Sequence, residues 1–138
     1  MSFDLFIQFY DHGAPAGIAS DDVRAAFAPC IASSDATHLA LEYDVANASY
    51  VHLKPHPNNA GAIVAIAVNR PCGDIRLWDS LARVLRLGNA VLFFPGGANP
   101  MVGSADAVPH LPRDIIEALG NPVVVASGNA ILALVHAV

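Results

Sequence analysis

This sequence of 138 residues contains few charged residues, only two cysteines and no long apolar run. Its longest apolar stretches span about seven residues, whereas a helix needs roughly 20 to cross a bilayer. The N-terminus has no positively charged segment before an apolar one, so we expect neither a secretory leader nor a membrane association. Cys30 and Cys72 are then expected to be reduced thiols of a cytoplasmic protein, because disulfides persist mainly in oxidising compartments.

The sequence also lacks the short motifs that carry common cofactor and catalytic chemistry. It has no Cys-x-x-Cys pair, no phosphate-binding Gly-x-x-x-x-Gly-Lys loop and no Gly-x-Ser-x-Gly elbow. His52 and His56 have the spacing of a helical zinc pair, but Pro55 lies between them and the segment is typical of extended chain. We therefore predict no metal, no cofactor and no catalytic residue, and leave open whether the chain is an enzyme.

Basic residues are scarce and unevenly placed. The chain has seven Lys and Arg against 12 Asp and Glu, a net charge of −5, and all of this net charge lies in residues 1–60. No cluster of basic and aromatic residues is present, so nucleic-acid binding is not expected. An acidic N-terminal surface would attract a basic protein partner, although the same charge balance also serves solubility alone. The predicted contact residues are Asp21, Asp22, Asp35 and Asp44.

The segment 69–99 is the best-specified part of the chain. Asp74 is placed to cap a helix by accepting hydrogen bonds from its first turn, and Gly88 is placed to end it in a left-handed conformation. Between them, apolar residues recur at the three-and-four spacing of one helical face. These positions are Leu77, Trp78, Leu81, Val84 and Leu85.

Strand patterns lie on both sides of this helix. Residues 62–68 and 90–94 are continuous apolar runs, typical of strands buried on both faces, and their short links predict a parallel crossover through the helix. Alternation predicts a first strand over residues 3–10 and a hairpin over 37–44 and 49–54. The hairpin register that keeps the apolar residues on one face places Glu42 opposite His52.

The remaining patterns complete a fold prediction. Short helices are expected between Ser20 and Pro29, over 112–119 and over 130–137, with Ser20 and Ser127 as caps and Gly120 ending the second helix. Short strands are expected over 101–103 and 123–126. We predict an α+β (mixed α/β) fold in a single globular domain, 1–138, with one sheet of about five or six strands and helices mainly on one face. Ten residues are expected to share its core: Leu5, Ile7, Val64, Ile66, Val68, Leu81, Val84, Leu85, Val91 and Phe93.

If the first strand and the two apolar strands ran parallel, their carboxyl ends would share one edge of the sheet, where ligands of open sheets bind. This reasoning predicts a ligand edge formed by His12, Asn69, Arg70, Gly96 and Gly97. The alternatives remain open. Arg70 would then hold a loop in place, and the two glycines would form a hairpin turn that requires positive φ.

Five segments carry a resemblance to known proteins: MSFDLFIQFY, VNRP, LWDSLARVLRLGN, VLFFPGG and LPRDIIEALG followed by PVVVASG. Together they resemble a group of small, uncharacterised bacterial proteins, and proteins of this size and acidity are similar to the immunity partners of secreted bacterial toxins. The resemblance implies a non-enzymatic binding protein, and it assigns no contact residue. The alternatives are a small-molecule binder or enzyme at the predicted ligand edge, and a domain that forms a homodimer.

Overall fold

The computed structural model describes residues 3–97 and 99–137. Its elements follow the chain in the order β1–β3, α1, β4–β7, α2, β8, β9, a 3-10 helix, α3, β10 and α4. The strands are β1 Asp4–Asp11, β2 Ala14–Pro15, β3 Ile18–Ala19, β4 Ile31–Ser34, β5 His38–Glu42, β6 Ala48–His56, β7 Asn59–Asn69, β8 Ala90–Phe93, β9 Met101–Val102 and β10 Val123–Val124. The helices are α1 Ser20–Phe27, α2 Ile75–Val84, the 3-10 helix Ala105–His110, α3 Arg113–Leu119 and α4 Gly128–His136.

The strands form one open sheet in the order β10-β9-β8-β1-β7-β6-β5-β4, with β2 beside β1 and β3 beside β7. All pairs are antiparallel except β9 with β10. The mixed α+β class is therefore confirmed, but the sheet formed by the described residues has ten strands and not five or six. The two-residue strands β9 and β10 lie within the predicted segments 101–103 and 123–126. The strands that were not predicted are β2 and β3, which are two residues long and too short to show an alternating pattern, and β4, which has no fully buried residue.

The helix predicted after Asp74 is confirmed as α2. The Asp74 side chain accepts a hydrogen bond from the Arg76 amide at 2.9 Å, and the predicted apolar face is buried. The role predicted for Gly88 is wrong, because α2 ends at Val84 and Gly88 does not have positive φ. A Cβ at Gly88 would instead lie 2.6 Å from Cδ1 of Ile18, so glycine allows β3 to approach.

Of the two helix caps predicted at serines, one is found in the structure and the other is not. The Ser127 hydroxyl accepts from the Ala130 amide at 3.1 Å, which confirms the predicted cap of α4. Ser20 lies inside α1, whose N-cap is Ala19. The Ser20 hydroxyl accepts from Nε of Arg24 at 3.1 Å, so the predicted cap at Ser20 is wrong.

The crossover through α2 joins strands that are not neighbours. Both β7 and β8 are antiparallel to β1, which lies between them. The two strands consequently run in the same direction, as the sequence predicted, but they do not pair. The insertion of β1 between them determines where the predicted ligand-edge residues lie.

In the β5–β6 hairpin the predicted apolar residues share one buried face, but the two strands pair in a different register. Leu39 pairs with Val51 and Leu41 with Ser49, and the apolar residues of both strands are buried together. Glu42 lies opposite Ala48, and His52 lies opposite His38, so the predicted pairing of Glu42 with His52 is wrong. The register moved by an even number of residues, which preserves the faces.

The main core lies between the sheet and helices α1, α2 and α4. Seven of the ten predicted core residues belong to it: Leu5, Ile7, Ile66, Val68, Leu81, Val84 and Leu85. Val64 is also buried. Val91 and Phe93 instead pack on the opposite face, against residues of the 3-10 helix and α3. Within the described ranges no helix is long and apolar enough to cross a membrane.

Candidate functional site

The structure does not bring the five predicted ligand-edge residues together. Because β1 is antiparallel to β7 and β8, His12 follows β1 at one end of the sheet. At the opposite end, Asn69 is the last residue of β7, Arg70 follows it, and Gly96 and Gly97 follow β8. No single edge of the sheet therefore joins His12 with Arg70.

At the Arg70 end, hydrogen bonds tie down the chain that leaves β7. Arg70 has a φ of +48°, and its amide donates to the Asp4 carboxylate at 3.3 Å. The Ser49 hydroxyl accepts from the Cys72 amide at 3.0 Å, and the buried Trp78 indole donates to the Cys72 carbonyl at 2.9 Å. The backbone of Arg70 is thus held in the loop, in agreement with the alternative given for this residue, and Trp78 belongs to the core.

The two glycines lie in the connection between β8 and β9, which form an antiparallel hairpin. Gly96 has a φ of +68°, and the Gly97 amide donates to the Phe94 carbonyl at 3.2 Å. A side chain at Gly97 would overlap the Phe94 ring. Both glycines therefore meet the needs of a turn, as the alternative interpretation predicted.

The four predicted partner-contact aspartates do not form one surface. Asp21 and Asp22 are exposed in the first turn of α1, on the helical side of the sheet. Asp35 and Asp44 are exposed in the loops at the two ends of β5, about 13 Å or more apart at the usual rise of a strand. Asp35 lies beside His38, Ala40 and Tyr50 on the other side of the sheet, and Asp44 lies near Glu42 and Ala48.

Asp35 and Asp44 also organise their own loops. The Asp35 carboxylate accepts from the amides of Thr37 and His38 at 2.9 and 2.8 Å, and the Thr37 bond is the main reason that the pKa of Asp35 is lowered. The Asp44 carboxylate accepts from the Asn47 side chain at 3.0 Å, which likewise lowers the pKa of Asp44. Both groups stay ionised and are held in position.

The side of the sheet away from the main core is only partly covered. The 3-10 helix and α3 pack on β8, β9 and the end of β1, and the outward residues of β1, β7, β6 and β5 lie beyond them. We call this region the open sheet face. Its outward side chains are Phe6, Gln8, Ala65, Ala67, Tyr50, His52, Lys54, His38, Ala40 and Glu42.

A pair of histidines lies on the open sheet face. Nδ1 of His52 is 2.8 Å from Nε2 of His38, and the two rings meet edge to face with centroids 4.4 Å apart. Nδ1 of His38 is 2.8 Å from the Thr37 hydroxyl. This pair was not predicted from the sequence, because the expected register placed His52 opposite Glu42.

The open sheet face combines small, aromatic and charged side chains. The small side chains of Ala65 and Ala67 leave a shallow depression at the centre of this face. Tyr50 is 63% exposed. Glu42 ends β5 on this face, and Asp35 lies at the start of the same strand. The alternation of polar and apolar residues in β6 indicates from the sequence which of its side chains point away from the core. Which part of the sheet stays uncovered depends on where the 3-10 helix and α3 pack.

Known proteins do not narrow the interpretation of this site. Comparison with protein-family models, with curated proteins and with solved structures yields no match for this chain. The function is consequently argued from the geometry of the described residues alone.

Proposed function

We propose that this protein is a non-enzymatic binding protein whose open sheet face holds a basic segment of a protein partner. The observation that carries this proposal is an exposed aromatic side chain next to fixed acidic groups. Tyr50 projects from β6, and Asp35, Glu42 and Asp44 border the neighbouring strand. A segment that alternates basic and apolar residues would complement both features, since aromatic anchors and opposite charges favour association.

The state of the acidic groups supports the proposal. Asp35 and Asp44 accept backbone hydrogen bonds that keep their carboxylates ionised and in place. Charges fixed before binding lose little conformational entropy on association. Their exposure means that they act mainly on the rate of encounter and on its salt dependence.

The proposed contact surface is smaller than the one predicted from the sequence. Asp21 and Asp22 are exposed on the helical side, so one partner segment lying on the open sheet face would not contact them. The immunity-like role implied by the sequence resemblance remains one form of the proposed function, because covering a basic surface of a toxin would use the same electrostatics. The alternative ligand site is not proposed, since His12 and Arg70 lie at opposite ends of the sheet.

A peptide-binding experiment tests the proposal. Fluorescence anisotropy would follow a labelled peptide of alternating lysine and leucine, with a glutamate–leucine peptide of equal length as the control probe. We expect only the basic peptide to bind, and its association rate to fall as salt shortens the screening length to about 8 Å. Absence of binding by the basic peptide, or equal binding of the two peptides, would contradict the proposal.

Charge-matched variants locate the binding face. The triple variant Asp35→Asn, Glu42→Gln and Asp44→Asn keeps the hydrogen-bond acceptors of the loops and removes three charges. It should bind the basic peptide more slowly than the wild type, and Tyr50→Ser should dissociate faster.

The control variant removes three charges elsewhere, through Asp21→Asn, Asp22→Asn and Asp106→Asn. Equal slowing by both triple variants would show that only net charge matters, and would overturn the assignment to the open sheet face. Light scattering on the same samples addresses the homodimer alternative. A dimer that is lost with Tyr50→Ser would assign the face to a second copy of the chain and contradict the proposal.

A further inference from the structure

The turn between β1 and β2 lies against the end of the 3-10 helix. His12 and Gly13 form a two-residue hairpin turn with φ values of +49° and +84°, as the type I′ geometry requires. The Gly13 amide donates to the His110 carbonyl at 2.9 Å, and the rings of His12 and His110 meet edge to face with centroids 4.5 Å apart. The fold thus brings together two histidines that are 98 residues apart in the sequence.

Asp11 completes a cluster of three side chains that can ligate a metal. One ligand atom from each of Asp11, His12 and His110 lies within 4.8 Å of the others. Oδ1 of Asp11 is 2.5 Å from Nδ1 of His12 and 3.4 Å from Nδ1 of His110. A carboxylate and two imidazoles are ligands suited to zinc and neighbouring transition metals.

The hydrogen bonding inside the cluster shows which nitrogen of His110 is unprotonated. Nδ1 of His110 accepts the backbone N–H of His12 at 3.1 Å, so this nitrogen carries no proton. An oxygen of the Asp11 carboxylate faces the same nitrogen. An imidazole nitrogen has one lone pair, so an ion bound at Nδ1 of His110 would take the place of the His12 backbone hydrogen bond.

We propose that Asp11, His12 and His110 form a binding site for a divalent transition-metal ion such as Zn²⁺. This inference is independent of the proposed function, because the cluster lies at the far end of β1 from Asp4 and outside the open sheet face. Bonds of about 2.0–2.2 Å to zinc place tetrahedral ligands roughly 3.3 Å apart. The distances from Oδ1 of Asp11 to the two Nδ1 atoms, 2.5 Å to His12 and 3.4 Å to His110, lie on either side of that value.

The side chains have room to adjust. His12 is 83% exposed, Asp11 65% and His110 25%, so the first two can open around an ion that replaces their direct hydrogen bond. Three protein ligands would leave further coordination positions to water. A bound ion would link the β1–β2 turn to the 3-10 helix and stabilise the folded chain in proportion to its occupancy.

The His38 and His52 pair provides an internal comparison. It also has two close imidazoles, but they already bond to each other. Asp35 lies 3.4 Å from His38, and among the described residues no third ligand atom converges with the two imidazoles. The double variant His38→Gln and His52→Gln is therefore the matched control for variants of the Asp11 cluster.

Calorimetric titration with zinc chloride, and cobalt absorption as a spectroscopic check, would test the site on the full chain. We expect one ion per chain, a tetrahedral cobalt spectrum and a rise in melting temperature with zinc. His12→Asn, which tolerates positive φ, and His110→Ala should each weaken binding by more than about tenfold, because even partners behind the ligands commonly contribute about 10–100-fold. The His38 and His52 control should bind as the wild type does.

Two outcomes would overturn the site. One is no zinc binding by the wild type up to about 1 mM, a free energy near −4 kcal/mol. The other is a loss of binding in the His38 and His52 control that equals the loss in the cluster variants. If His12→Asn does not fold, Asp11→Asn gives the same comparison without changing the residue at positive φ.

Discussion

Tyr43 and Tyr50 flank the same hairpin loop, yet their hydroxyl groups have opposite surroundings. The Tyr43 hydroxyl is buried and has no hydrogen-bond partner among the described residues, while Tyr50 is largely exposed. A buried polar group without a partner costs roughly 1–3 kcal/mol of folding free energy. The Arg76 guanidinium lies 5.2 Å from the centre of the Tyr43 ring, a contact that does not need the hydroxyl.

Tyr43→Phe should therefore raise the free energy of unfolding, by about 1 kcal/mol. The ring and its contact with Arg76 stay in place, and only the unsatisfied hydroxyl is removed. Urea titration monitored by circular dichroism would measure the change. Tyr50→Phe is the control and should have almost no effect. A clear loss of stability in Tyr43→Phe would show that the hydroxyl does have a partner.

The same residue predicts how stability changes at alkaline pH. Burial is the main reason that the pKa of Tyr43 is raised in the folded protein, whereas an unfolded tyrosine titrates near pH 10. The neutral hydroxyl is thus favoured by folding below about pH 10, and this contribution is lost as the pH rises above it. Denaturant titrations should show a steeper alkaline decline for the wild type than for Tyr43→Phe, and parallel curves would refute the assignment.

At the scale of elements, the close approach of α4 to α2 depends on one glycine. A Cβ at Gly128 would lie 2.5 Å from the Asp79 amide nitrogen and 2.7 Å from the Trp78 carbonyl carbon. Both of these are backbone atoms of α2, which cannot move aside as a flexible side chain can.

Gly128→Ala should accordingly destabilise the protein by about 1–3 kcal/mol, the usual cost of overpacking, although alanine favours helices. Thermal unfolding would measure it. Gly73→Ala is the matched control, because nothing lies within 4 Å of its added Cβ and its φ is not positive. Equal effects of the two substitutions would contradict the close packing of α4 on α2.

A second prediction at this scale concerns the buried side chain at the end of α2. Leu85 is 1% exposed in the main core, so Leu85→Ala should cost about 2–5 kcal/mol. The control is Ile75→Ala at the other end of the helix, where the side chain is 38% exposed and the loss should be smaller. A loss below about half a kcal/mol for Leu85→Ala in a denaturant titration would mean that the buried face of α2 is misassigned.

At the scale of the whole molecule, three carboxylates organise three separate loop or helix ends. Asp35 and Asp44 hold the loops on either side of β5, and Asp74 caps α2. The Arg76 side chain is the main reason that the pKa of Asp74 is lowered. All three groups therefore bind protons less readily in the folded chain than in the unfolded chain.

Stability should consequently fall as the solution is acidified. Carboxylates whose folded pKa is lowered stabilise the protein above the unfolded value of about 3.9, and this contribution is lost as the pH falls through the folded pKa values. The triple variant Asp35→Asn, Asp44→Asn and Asp74→Asn should show a flatter dependence of unfolding free energy on pH between about 5 and 2. An unchanged slope would exclude these groups as its source.

What the sequence alone determined is local. The helix after Asp74, the cap at Ser127 and the glycine after α3 follow from contacts within a few residues, and all three are found in the structure. The faces of the β5–β6 hairpin were also predictable, because an error of an even number of residues preserves them. The residue that lies opposite His52 was not predictable, because the loop conformation set by Asp44 decides the register.

Only the tertiary structure decided which distant residues meet. The insertion of β1 between β7 and β8 moved His12 away from Arg70 and Gly97 and towards His110, and no pattern within a single segment encodes that order. Strands β2 and β3 are too short to show alternation, and β4 has no fully buried residue, so the size of the sheet was also underestimated. Strand order and the uncovered face depend on contacts between residues far apart in the chain, whereas helices and caps are set by neighbours.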